Sequence, residues 1–64
     1  MNRKLKAARI EKNLNQKELC KITGIGLNTL VKLEKGDYTS LKYPVMISLS
    51  KALGKKPQEL FFED

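Results

Sequence analysis

Asn28 and Lys32 lie four residues apart, a spacing that a helix turns onto one face. A carboxamide and an ammonium group displayed together suit one kind of chemistry. Asn can make paired hydrogen bonds to an adenine edge, and Lys can donate to guanine O6 or N7, in the major groove of double-stranded DNA. Each well-placed contact of this kind contributes about 1–3 kcal/mol of discrimination between bases. At about 100° per residue, Leu30, Leu33 and Glu34 fall on the other side of the same segment. Lys35 joins the Asn28 and Lys32 face, and Leu27, Thr29 and Val31 flank it. The competing reading is an ordinary solvated face.

Charge and residue inventory narrow the choice. The chain carries 13 Lys and Arg against 7 Asp and Glu, a net charge of +6. The whole excess belongs to residues 1–42, while the remainder balances three bases (Lys51, Lys55, Lys56) against three acids (Glu59, Glu63, Asp64). A localised basic patch on so small a domain points to phosphate, with a Lys-rich solvated surface as the alternative. Cys20 is the sole cysteine and His is absent, so neither an intrachain disulfide nor a Cys/His metal cluster is possible. An unpaired thiol fits a reducing cytoplasm. No pair of acids sits at a suggestive spacing and no glycine-rich phosphate loop appears, which argues against an enzyme, a cofactor or a small-molecule ligand. The longest apolar runs, such as Tyr43-Pro44-Val45-Met46-Ile47, are too short for a signal peptide or a membrane span.

The elements that must hold these side chains read as five short helices in one all-α domain, residues 1–64. The first covers 3–12, with Leu5 and Ala8 on its apolar face and Asn13 suited to a left-handed exit. The second, 16–23, opens at Asn15 as N-cap with Glu18 three positions on, a capping-box spacing, and ends at Gly24. Leu19, Cys20 and Ile22 form its expected apolar face. The third, 27–35, follows Ile25-Gly26 after so short a connection that the two helices must cross steeply. Leu19, Ile25, Leu30 and Leu33 can meet between them, and Gly24 supplies the positive φ of the turn. Residues 37–42 read as a polar loop, 43–53 as a fourth helix with Pro44 in its first turn, and 57–62 as a last short helix opened by Pro57.

Leu14-Asn15-Gln16-Lys17-Glu18-Leu19-Cys20 running on to Gly24, followed by Leu30-Val31-Lys32-Leu33-Glu34-Lys35-Gly36, resembles the helix-turn-helix family of lambdoid phage repressors and Cro proteins. The resemblance extends from Leu5 to Phe61, with the helix-turn-helix at about 16–35. It implies a five-helix lambda-repressor-like domain that binds a specific DNA sequence and regulates transcription, as a repressor occupying a palindromic operator. A protein-interaction module or antitoxin built on the same fold is the alternative. RNA fits less well, because the A-form major groove is too narrow for a helix and stacking aromatics are few.

The same resemblance selects Leu27, Asn28 and Lys32 as base readers, Leu27 against a thymine methyl, with Thr29 and Lys35 in support. Gln16 and Lys17 open the second helix, where free N–H groups and the helix dipole attract phosphate. The resemblance adds that Gln16 braces the recognition helix. Thr39, Ser40 and Lys42 are expected at a second phosphate, or else are ordinary loop polarity. Arg9 and Glu34, both near buried faces, match a structural ion pair of the phage repressors. Leu60, Phe61 and Phe62 match a region that forms a two-fold contact, which implies a homodimer on DNA; since three large apolar residues in a row cannot all enter one small core, the alternative is that Leu60 and Phe61 cap the core while Phe62 lies on the surface. Three features depart from the family pattern. Cys20 replaces the usual Ala, Gly26 the usual Ser or Thr at the recognition-helix start, and Lys42 and Lys56 occupy positions where a capping side chain is ordinary.

Overall fold

Short-range hydrogen bonds start and stop each helix. The computed structural model describes residues 2–62, so Met1, Glu63 and Asp64 of the expected 1–64 domain lie outside the described residues. Helix α1 (Arg3–Glu11) starts at Asn2, whose side chain accepts from the Leu5 N–H. It closes through Lys12 into Asn13, which takes a φ of 60°. Helix α2 (Gln16–Thr23) carries the reciprocal cap: Asn15 Oδ1 accepts from the Glu18 N–H at 2.7 Å, and Glu18 Oε1 from the Asn15 N–H at 2.8 Å. Gly24 ends it at a φ of 77°, left-handed as the turn requires.

Helix α3 (Leu27–Glu34) follows an extended Gly26 and ends one residue before the expected boundary, with Lys35 as its cap. Helix α4 (Tyr43–Leu53) tolerates Pro44 in its first turn and ends at Gly54. Helix α5 (Pro57–Phe61) is half-capped by Glu59, whose carboxylate accepts from the Lys56 N–H at 3.1 Å. A protonated Lys56 side chain has no lone pair with which to return the bond. Among the described residues every regular element is helical, and no helix is long and apolar enough to cross a membrane.

The core is a leucine cluster to which all five helices contribute: Leu5 and Ala8 from α1, Leu19 from α2, Leu30 and Leu33 from α3, Leu49 and Leu53 from α4, and Leu60 and Phe61 from α5. Helix α2 packs on α3 and α4, while α5 packs on α1 and α4. Two expectations require correction. Ile22, expected on the apolar face of α2, is 59% exposed. The covered stripe of α2 runs through Gln16, Leu19, Cys20 and Thr23, which is i, i+3, i+4, i+7, and Ile22 falls beside it. Leu60 and Phe61, expected at a two-fold contact, are buried within the chain's own core, so α5 spends both on folding. Phe62 remains 58% exposed.

Candidate nucleic-acid interface

Helix α3 divides cleanly between two environments. Leu30 and Leu33 have no exposed surface and Glu34 is buried, while Asn28, Lys32 and Lys35 are exposed and Thr29 and Val31 are half-buried. Leu27 is 40% exposed at the first turn. The face that carries the Asn and Lys side chains is therefore the outer face, and it carries no acid.

The end of α3 is fixed by charge rather than by apolar packing alone. Arg9 stands four residues after Leu5 and Glu34 four after Leu30, so each continues the core-facing stripe of its helix. Arg9 Nε donates to Glu34 Oε2 at 2.8 Å and Nη2 donates to Oε1 at 3.3 Å, a bidentate pair. Arg9 Nη1 also donates to the Leu14 carbonyl at 2.9 Å, which fixes the α1–α2 connection. Gln16 Nε2 reaches Glu34 Oε1 at 3.2 Å and ties the first turn of α2 to the last turn of α3. Lys17, the next residue, is exposed.

Cys20 lies half-buried at the α2–α3 crossing. Burial, reinforced by the nearby Glu34 charge, pushes its thiol up from the ordinary range and keeps it protonated at neutral pH.

A second polar region flanks the outer face of α3. Gly26, Thr29, Thr39, Ser40 and Lys42 line one open groove between the α2–α3 turn and the start of α4. Lys42 is exposed and Ser40 half-buried, but the Thr39 hydroxyl is already engaged. Its Oγ1 donates to Asp37 Oδ1 at 2.7 Å, and its N–H donates to the same oxygen at 3.0 Å. These bonds, with a smaller contribution from Lys32, hold the Asp37 carboxyl below its usual range. A phosphate at Thr39 would have to displace a carboxylate from it. Asp37 has no place among the expected site residues; an Asp two residues before a Thr is the Asx-turn pattern that could have revealed it.

Comparison with known proteins bears on this arrangement. A helix-turn-helix family model matches residues 5–60, which takes in all of α2, the turn and α3. The chain belongs to this helix-turn-helix family. It is also 38% identical over 66 aligned residues to an uncharacterised HTH-type transcriptional regulator of Methanocaldococcus jannaschii, an alignment covering 100% of this chain and 97% of that relative. No solved structure matches it.

Within the helix-turn-helix, the weakest local point is the start of α3, where Gly26 offers no side-chain cap. A Cβ added at Gly26 meets nothing within 4 Å, and the backbone is extended at a φ of −67°. Gly26→Ser is therefore expected to raise stability by a few tenths of a kcal/mol through an added cap acceptor. Chemical denaturation checks this, and a loss of stability would show that the first turn of α3 needs the bare backbone.

Proposed function

We propose that the chain is a sequence-specific double-stranded DNA-binding protein that regulates transcription by occupying an operator, most simply as a repressor. The observation that carries this reading is the two-sided α3 of a helix-turn-helix. Asn28 and Lys32 stand outward with Leu27 beside them, while Leu30, Leu33 and Glu34 hold the inner side in the core. In this reading Leu27, Asn28 and Lys32 meet base edges, with Thr29 and Lys35 supporting them. Gln16, Lys17, Ser40 and Lys42 meet the sugar-phosphate backbone, which sets register without reading sequence. The excess positive charge of the first two-thirds supplies the nonspecific attraction. The M. jannaschii relative, named as a transcriptional regulator, supports the assignment.

A selection from random duplex DNA is the direct test. Enrichment of one sequence is expected; purified protein that shows no preference at moderate salt sinks the reading and favours a protein-binding module. The two kinds of contact separate by mutation. Lys32→Ala should relax preference at one base position. Lys17→Ala should weaken binding to every sequence and reduce the log-log salt slope by roughly one. Equal losses on specific and scrambled DNA for Lys32→Ala would remove it from the readers.

The operator in this reading is palindromic and bound by a homodimer. The longest dimension of the protomer is 28 Å, shorter than the roughly 34 Å of one DNA turn, so a single chain addresses a single half-site. Phe62, exposed beside the buried Leu60 and Phe61, is the large apolar side chain of α5 and its cap that, among the described residues, is available to a second copy. Phe62→Ser should reduce cooperative binding to a two-half-site duplex and leave binding to one half-site unchanged in a mobility-shift titration. Equal effects on both duplexes would place the two-fold contact elsewhere.

A further inference from the structure

The last carbonyls of a helix have no partner within it and must find one elsewhere. In α3 the Lys32 carbonyl accepts from the Asp37 N–H at 2.9 Å and the Leu33 carbonyl from the Gly36 N–H at 3.0 Å, both local bonds. The Glu34 carbonyl is satisfied from the far end of the chain, by the Asn2 N–H at 3.0 Å. Asn2 is 3% exposed and makes two further bonds. Its Oδ1 caps α1 through the Leu5 N–H, and its Nδ2 donates at 2.7 Å to the carbonyl of Leu60, 58 residues away in α5.

One buried residue thus joins three helix ends, its carboxamide bonding the start of α1 and the end of α5 and its backbone N–H the end of α3. We infer that Asn2 is a positioning residue for DNA recognition, holding the carboxyl end of α3 so that its outer face keeps one angle to the groove. The inference rests on the reading of α3 as a recognition helix. The physical ground is that Glu34 is held at two points. Arg9 and Gln16 fix its carboxylate, and Asn2 fixes its carbonyl, so the last turn of α3 cannot swivel about the ion pair. The bond to Leu60 ties the Asn2 side chain to α5, and without it Asn2 keeps only its cap to α1 and is freer to fray from the Glu34 carbonyl.

Asn2→Ser separates this role from simple capping. A Ser hydroxyl still accepts from the Leu5 N–H but is too short to reach the Leu60 carbonyl. In the absence of DNA, amide exchange at Gly36 and Asp37 is expected to accelerate by about fivefold, as for the loss of one hydrogen bond, over any change at Leu30 and Leu49 in the core. On DNA, affinity for the selected sequence should fall by about fivefold while affinity for scrambled duplex stays the same. Uniform acceleration at all four amides, or equal losses on both DNAs, would show a structural role and overturn the inference. Should the variant not fold, the unmodified chain decides: a through-hydrogen-bond scalar coupling from the Asn2 amide to the Glu34 carbonyl is expected, and a rapidly exchanging Asn2 amide overturns it. The exchange measurements need no DNA, so a failure here is distinguishable from a failure of the DNA-binding reading itself.

Discussion

Glu34→Ala is expected to lower the stability of the fold by about 3–5 kcal/mol, because it strands the Arg9 guanidinium among buried residues. Both side chains are close to nine-tenths buried, so solvent does little to replace the lost carboxylate. Three consequences arise together: Nε and Nη2 of Arg9 lose their acceptors, Gln16 loses its hold on α3, and the last turn of α3 keeps only its backbone bond to Asn2 as a tie to the start of the chain. Against a total stability of roughly 3–10 kcal/mol for a chain of this length, that loss leaves a large unfolded fraction at ordinary temperature. The pair need not be a net source of stability, since desolvation of both ions opposes their attraction. The double variant Arg9→Met with Glu34→Leu, which replaces the charges by apolar side chains of similar size, should therefore be more stable than either single charge deletion. Urea denaturation of the unmodified protein, Arg9→Met, Glu34→Leu and the double variant gives the coupling directly. A loss below about 1 kcal/mol for Glu34→Ala would mean that water reaches the guanidinium and the pair behaves as a surface one.

The second large effect contrasts the two sides of α3. Leu33 has no exposed surface and belongs to the leucine cluster, so Leu33→Ala removes buried methyl groups and leaves a cavity, at about 2–5 kcal/mol of stability. Asn28, five residues earlier on the opposite side, is exposed, and Asn28→Ala should change stability by less than about 0.5 kcal/mol. Its cost should appear on DNA, as about 1–3 kcal/mol of lost discrimination at one base pair, or about five- to 150-fold. Thermal unfolding and competition binding on the same two proteins check both halves. A stability loss at Asn28 comparable with that at Leu33 would contradict the division of the helix into a packed side and a reading side.

Much of the fold was legible in the sequence because the rules that start and stop short helices act over three or four residues. The Asn15 and Glu18 cap, the left-handed Asn13 and Gly24, Pro44 in a first turn and the uncapped Gly26 all follow from neighbours in the chain. The division of α3 is of the same kind, since a period of 3.6 residues and three apolar or core-facing positions decide which side remains. Ile22 shows where local pattern misleads. An Ile next to Leu19 and Cys20 reads as part of one apolar face, yet only contact with α3 and α4 selects the stripe through Gln16 and Thr23 instead.

The division of labour among the last residues was likewise a tertiary matter. Three large apolar residues in a row do not declare which two fill the core. Contact with α1 and α4, and an edge-on contact between Tyr38 and Phe61 at a centroid distance of 5.9 Å, decide that Leu60 and Phe61 do. The Asp37 and Thr39 bond is different in kind, a local Asx-turn pattern two residues long that the sequence carries.

What the sequence determined by itself is the all-helical course of the chain, the helix-turn-helix and the outer face of α3 with Asn28 and Lys32 on it, because each depends on spacing along a single segment. The tertiary structure alone decided how α3 is held. Asn2 bonds partners 32 and 58 residues away, and whether Arg9 meets Glu34 in bidentate geometry depends on the approach of α1 to α3. Separations of that size leave no periodicity in the sequence; the partners are chosen when the leucine cluster closes and brings the ends of three helices to one place.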